Sequence, residues 1–360
     1  MSFSSILGQD KTVKRLRAML ESGRVPPAMI FHGAPGTGKF LAALEFAKAL
    51  NCSHTAHREK RPAPPPPDPD DLFAAAAPPP PAPEPEPEPA QVHSDASDSC
   101  GACLSCLQAA CGAHPDIRVV DTEMQAALLD EDESANLKID TMREMTRWAQ
   151  QKPLLSPWKV FIVRDAEAMV NNAQNAILKT LEEPPPGTIV ILTVSRKTSL
   201  LATILSRSCM IEFGPLPRRD LAAILEKAGA DPAQAGALAA LGSGSLEKAA
   251  EAGAFLKRIS SLRPGDQARV FKFAAGLPRD SHKARGEVKT LLDLLLLRGR
   301  SAWRRAEGPA KTRLTALLRR TLDLRRMADR NVSYALILET ALLESERAGL
   351  KLEDLVKPGD

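Results

Sequence analysis

The chain has 360 residues, 44% of them hydrophobic, and its 48 Lys and Arg against 44 Asp and Glu leave a formal net charge of +4. That length accommodates two or three domains with cores of their own, and so small a net charge excludes a global nucleic-acid-binding signature. No apolar run reaches the roughly 18 to 20 residues that cross a bilayer, and the opening stretch MSFSSILGQDKTVKRLRAML is polar where a secretory signal would be apolar. A cytoplasmic protein with no membrane contact is therefore the expectation.

In chain order, the apolar periodicity predicts a helix over 13–21, a buried strand over 28–32 and a second helix over 39–50. Between that strand and helix lies Gly33-Ala-Pro-Gly36-Thr-Gly38-Lys39, which fits the spacing GxxxxGK. Glycines there let backbone N–H groups close around a phosphate at the positive end of a helix, and Lys39 would reach the outer phosphates. Residues 53–99 break the pattern with PAPPPPDPDD, AAAAPPPPAP and PEPEPEP. Proline on this scale forbids helix interiors and sheet ladders, so the segment reads as a disordered insert of polyproline II character.

Six cysteines in a chain of this expected location favour metal over disulfides. Cys100, Cys103 and Cys106 form CxxCxxC, three thiolates on one tight loop, and zinc asks for a fourth ligand. Cys111 and His114 lie close enough in sequence to supply it. Further strands are predicted over 117–121, 160–164, 189–194 and 210–213, with helices between them. Thr141 and Glu144 have the spacing of a capping box. A helix over 172–183 should end at the prolines 184–186. Strands alternating with helices imply an α/β fold, a parallel sheet covered on both faces. After 213 the strands cease, and helices are expected over 218–229, 231–241, 245–252 and through a Leu-rich, Arg-rich tail. The basic charge of 257–330 suits contact with DNA or an acidic partner, and equally a solvated helix face.

Two positions disagree with phosphoryl-transfer chemistry. A hydroxyl should follow the loop lysine to hold magnesium, and Phe40 stands there. The third strand should end on acidic residues, and the pair here is Arg164-Asp165. Hydrolysis by this site is not expected, and whether ATP occupies the loop stays open at this point.

Taken together these residues resemble the bacterial DNA polymerase III clamp-loader subunits of the AAA+ superfamily. Ile6-Leu7-Gly8-Gln9, the phosphate loop, the cysteine module, Ile139-Asp140 with Arg143-Glu144, Asn175-Ala-Ile-Leu-Lys-Thr-Leu-Glu-Glu-Pro-Pro185 and Leu205-Ser-Arg-Ser208 carry the likeness. It covers most of 1–252 outside the insert. The resemblance implies an AAA+ P-loop domain with a zinc module over 1–215, a small helical lid over 216–252 and an all-α collar over 253–360. It also implies that Cys52 joins Cys100, Cys103 and Cys106 around a structural Zn2+. By the same likeness Arg207 reaches a neighbouring subunit's ATP in trans; Ser208 stands where the family has Cys. The partners implied are gamma/tau and delta subunits in a hetero-oligomeric ring, with the sliding clamp and primer-template DNA reached through the complex. Phe40, Arg164 and Glu247, which aligns with a sensor arginine of the gamma/tau motor, point to the delta-prime branch. An active gamma/tau-type ATPase is the alternative. A zinc-dependent DNA-binding module acting alone is a third class, opposed by the weak net charge.

Overall fold

The structure, a computed structural model, describes residues 2–54, 97–132, 134–260, 267–278, 281–330 and 332–350. The expected disordered insert lies outside the described residues from 55 to 96. Its C-terminal edge is anchored. Asp98 accepts from the backbone N–H of Phe3 at 3.0 Å and pairs with Arg17 at 2.9 Å.

The chain divides into two compact units, residues 1–34 with 38–214 and residues 35–37 with 215–360. The first unit opens with α1 (Asp10–Ser22), β1 (Ala28–His32), α2 (Lys39–Asn51) and α3 (Leu104–Ala110). It continues with β2 (Ile117–Val120), α4 (Thr122–Leu129), α5 (Ile139–Gln150), β3 (Lys159–Val163), α6 (Asn171–Ala176), α7 (Leu178–Glu182), β4 (Thr188–Val194), α8 (Ala202–Leu205) and β5 (Cys209–Glu212). All five strands are parallel, in the order β2-β3-β4-β1-β5.

Residues of β1, β3 and β4 are buried along their whole length. Such strands need apolar side chains on both faces, and successive residues point to opposite sides. Met29, Phe31, Val160, Ile162, Ile189 and Ile191 accordingly pack with α1 and α2 in one core. Ile30, Phe161, Val163, Val190 and Leu192 pack with α5 and α6 in another. A parallel ladder sends every strand's C-terminal end to the same edge. There β4 lies between β1 and β3, with His32 opposite Val194 and Val163 opposite Leu192. The segments leaving β1 and β3 are thereby gathered beside Thr193.

Two expectations are corrected here. The predicted helix over 172–183 is two helices, α6 and α7, which meet at Ile177. No capping box forms at Thr141. The helix begins earlier, with Lys138 as its N-cap, and Thr141 instead donates to the buried Gln125 Oε1 at 2.8 Å. Gln125 Oε1 also accepts the Lys138 N–H, and its Nε2 donates to Ser134 and Asn136. A long-range side chain thus does what a local cap was expected to do.

The second unit is helical among its described residues: α9 (Arg218–Lys227), α10 (Pro232–Leu241), α11 (Leu246–Ser260), α12 (Gln267–Ala275), α13 (Ser281–Arg305), α14 (Gly308–Met327) and α15 (Tyr334–Arg347). Its α11 outruns the predicted 245–252. Ala249, Ala252, Phe255, Leu256 and Ile259 keep the helical spacing and are all buried. One apolar cluster runs from Leu216 through Leu291, Leu295, Leu317 and Leu338 to Leu350. Residues 35–37 belong to this unit because the Leu246 N–H donates to the Gly36 carbonyl at 3.0 Å. Gly36 has φ +67°, and a Cβ there would lie 2.4 Å from the Glu247 nitrogen, so no larger residue fits.

Candidate functional site

Three groups of side chains can be followed from the sequence into the structure: the phosphate loop, of which Gly33, Gly38 and Lys39 lie in the first unit and Gly36 in the second, and the cysteine module and Arg207, both in the first.

The loop leaves β1 at His32. Gly33 donates to the Val194 carbonyl at 3.2 Å, and a Cβ on Gly33 would fall 2.2 Å from the Phe213 oxygen. Glycine is therefore required for the loop to pass between the neighbouring strand ends. Gly38 serves as N-cap of α2. Lys39, buried, turns its ammonium back onto the loop and donates to the carbonyls of Gly33 at 2.8 Å and Ala34 at 2.9 Å. His32 is also buried, and its pKa is lowered first by burial and then by Lys197.

Phe40 packs against the apolar core beside α2. The Arg164 guanidinium lies over its ring, 5.1 Å from the centroid. The two residues that depart from metal-dependent chemistry are thus stacked on each other as a cation–π pair. Arg164 also faces Asp165 at 3.7 Å. Asp165 occupies the left-handed region at φ 48°, donates its N–H to Thr193 Oγ1 at 3.0 Å and has a pKa raised first by burial, then by Glu167. Glu167 in turn accepts the Ser195 N–H at 3.0 Å. Next to the loop lysine, position 40 consequently has no hydroxyl, and β3 is followed by a guanidinium and then by Asp165, whose carboxylate is within electrostatic range of Lys39.

In the cysteine module, Cys52, Cys103 and Cys106 are buried with Cys100 packed against them. Cys52 follows α2 directly, and Cys103 caps α3. The Cys52 and Cys103 sulfurs are 3.9 Å apart, and those of Cys100 and Cys106 are 4.0 Å apart. Four thiolates at about 2.3 Å from a tetrahedral zinc ion would be about 3.8 Å from one another, so these residues fit the group. A hydrogen bond from the Cys106 thiol holds Cys52 down at about 4, while Cys106 itself is pushed up. Burial raises Cys103, yet backbone N–H groups of Cys106 and Ser53 leave it lowered overall.

His54 was not anticipated from the sequence. Its Nδ1 stands 3.5 Å from the Cys100 sulfur, and Cys52, His54, Cys100 and Cys103 form a group able to hold a metal ion. The available signal was its position, two residues after Cys52. The other candidates are engaged elsewhere. Cys111 is exposed and faces the Gln108 carbonyl. His114 is buried, its Nδ1 accepts the Asp116 N–H at 3.1 Å, and its Nε2 lies 3.0 and 3.1 Å from the hydroxyls of Ser105 and Ser156.

Arg207 leaves the end of α8 on the surface. Its Nε donates to Glu182 Oε1 at 2.5 Å, and its Nη1 to the Thr203 carbonyl and Ser206 Oγ. The buried Gln174 steadies this region, accepting the Leu201 N–H at 2.8 Å and donating to the carbonyls of Met169 and Ser199. Ser208, next in line, has a buried hydroxyl with no partner among the described residues. An apolar side chain or a thiol would sit there at less cost, since a buried unpaired hydroxyl is penalised by about 1–3 kcal/mol.

A five-stranded parallel sheet with a glycine loop and lysine after its first strand, and the β3 segment brought alongside through β4, defines a P-loop α/β protein of the AAA+ class. More particularly, the chain belongs to the family described as DNA polymerase III, delta subunit, whose model matches residues 8–64 and 90–217, just over half of the chain. It is 36% identical over 122 residues to the DNA polymerase III subunit delta' of Pseudomonas aeruginosa, covering 34% of each chain. Over 226 residues it is 29% identical to the DNA polymerase III subunit gamma/tau of Mycobacterium tuberculosis, covering 63% of this chain and 31% of that one. The chain therefore spans about a third of the length of these relatives. A gamma subunit-related protein of Thermotoga maritima aligns in structure with a TM-score of 0.43 and 16% identity, over 94% of this chain and 99% of that chain. No helix among the described residues is long and apolar enough to cross a membrane.

Proposed function

We propose that this chain is a delta-prime-type subunit of a bacterial DNA polymerase III clamp loader, hydrolysing no ATP itself and contributing Arg207 to a neighbouring subunit's ATP site. The observation that carries the reading is the Phe40–Arg164 stack. Magnesium-dependent phosphoryl transfer needs a hydroxyl after the loop lysine and carboxylates at the strand end. Here the first is a hydrocarbon ring, and at the second the first residue after β3 is a cation that lies over that ring and pairs with the one carboxylate that follows it, Asp165. The loop remains as a scaffold, with its lysine engaged by its own carbonyls.

Around that site the reading continues. Cys52, Cys100, Cys103 and Cys106 hold a structural zinc ion, whose four protein ligands leave no position open for catalysis. Residues 1–215, 216–252 and 253–360 serve as P-loop domain with zinc module, lid and collar. The collar joins gamma/tau and delta subunits in a ring, and the sliding clamp and primer-template DNA are engaged through that complex in the cytoplasm. Arg207 is the chain's own catalytic group. A guanidinium delivered in trans stabilises charge on the transferring phosphoryl group, an effect of about 10³–10⁵ in rate for arginine fingers.

The second reading, an active gamma/tau-type ATPase, draws on the longer match to gamma/tau relatives. One assay separates the two. The purified chain with magnesium and ATP should show no turnover above buffer. In a loader reconstituted with gamma/tau and delta subunits, Arg207→Ala should lower DNA-stimulated turnover while the complex still assembles. Multiple turnovers by the purified chain would establish the gamma/tau reading instead. An unchanged rate in a fully assembled Arg207→Ala complex would remove the trans role.

A further inference from the structure

We infer that Glu182 is the positioning residue for Arg207, holding its guanidinium at Nε and leaving Nη2 for a neighbouring subunit. The inference rests on the trans role proposed for Arg207.

A guanidinium is planar, and fixing two of its nitrogens fixes its plane and direction. Glu182 takes Nε at 2.5 Å, while the Thr203 carbonyl and Ser206 Oγ take Nη1 at 3.1 and 3.2 Å. Nη2 has no partner among the described residues and remains available to an incoming phosphate. The two sets of acceptors come from different elements, Glu182 from the last residue of α7 and the others from α8 and the turn after it. Each is held in place. Pro184, two residues on, forbids α7 from continuing past its end, and Gln174 ties down Leu201, the N-cap of α8.

The pair is half-exposed, with side chains 37% and 46% accessible. Its attraction is therefore screened and small, and Glu182 leaves most of the field of Arg207 intact. What Glu182 supplies is direction. A long, rotamer-rich side chain loses entropy when it must find one geometry, and a preset acceptor removes part of that cost before the neighbour arrives.

The test uses the loader reconstituted with gamma/tau and delta subunits, primed DNA and saturating ATP. Glu182→Ala should lower kcat about two- to fivefold, the range an exposed pair can supply, with the KM for ATP and assembly unchanged. Glu182→Gln, which keeps a carbonyl acceptor, should restore most of the rate. In the background of Arg207→Ala the Glu182→Ala change should have no further effect, because the two act as a unit. If Arg207→Ala alone leaves turnover unchanged, the trans role fails and the positioning role with it. If Arg207→Ala slows turnover but Glu182→Ala matches or exceeds the wild-type rate, the positioning role alone is refuted, and a faster variant would mean that Glu182 restrains the arginine.

Discussion

At the residue scale, the cysteine module offers five candidate ligands, of which a tetrahedral zinc ion would take four. Cys52, Cys103 and Cys106 are buried, Cys100 is partly so, and His54 is exposed at the rim. A buried thiol left without its metal partner has no water to replace it, whereas an exposed imidazole does. We therefore expect metal counting by mass spectrometry on the native chain to find one zinc ion. His54→Gln should retain it, and Cys106→Ser should lose most of it. Retention by Cys106→Ser together with loss by His54→Gln would assign the fourth place to the imidazole. The sequence pattern reaches the three CxxCxxC residues unaided, and the family likeness adds Cys52. Neither indicates His54, whose mark in the sequence is only its place two residues after Cys52.

At the element scale, the strands were legible to within a residue or two, since continuous Val, Ile and Phe runs can be buried on both faces only in a parallel sheet. What escaped the sequence was how the loops are held. Polar side chains with distant partners do that work, and distance along the chain conceals them. Gln125 replaces the expected cap of α5, Gln174 fixes the approach to α8, and Glu182 reaches Arg207 across 25 positions. Asp116 is the plainest case. It is wholly buried, just before β2, and its carboxylate accepts the N–H groups of Leu154, Leu155 and Ser156 at 2.7, 2.7 and 2.9 Å. Those residues form the approach to β3, and Leu154 and Leu155 are otherwise exposed. Hydrogen bonds to a charged group contribute about 1.5–3 kcal/mol each when buried, but this segment can turn its donors to water. Asp116→Ala should accordingly destabilise the first unit by about 3 kcal/mol in urea unfolding. Asp116→Asn, with one oxygen and an amide in place of the second, should fall between. A loss under about 0.5 kcal/mol for Asp116→Ala would show that the segment holds its place without the carboxylate.

At the scale of the whole molecule, each of the two units has its own apolar core, and acid should act on the first of them through two buried histidines. Burial is the leading cause that lowers the pKa of both His32 and His114 below the ordinary 6.5. In the unfolded chain these imidazoles take up protons as the pH drops through about 6.5. In the folded chain they stay neutral to a lower pH. Between those two values the unfolded state binds more protons, so stability is present in full above about pH 6.5 and declines as the pH falls. The slope is at most about 1.4 kcal/mol per pH unit for each imidazole. The first unit can be followed separately because Trp148 and Trp158 lie in it and Trp303 in the other. Fluorescence-detected urea unfolding of a Trp303→Phe chain should therefore give a lower stability at pH 5.5 than at pH 7.5. His114→Gln, whose amide can both accept from the Asp116 N–H and donate to Ser105 or Ser156, should make that decline shallower, and His32→Gln should do the same independently. The two effects should add, since the imidazoles belong to different surroundings, His32 beside Lys197, Glu212 and Lys39, His114 beside Asp116. An equal decline in the double variant would trace the acid sensitivity to other groups, the thiolates of the cysteine module first among them.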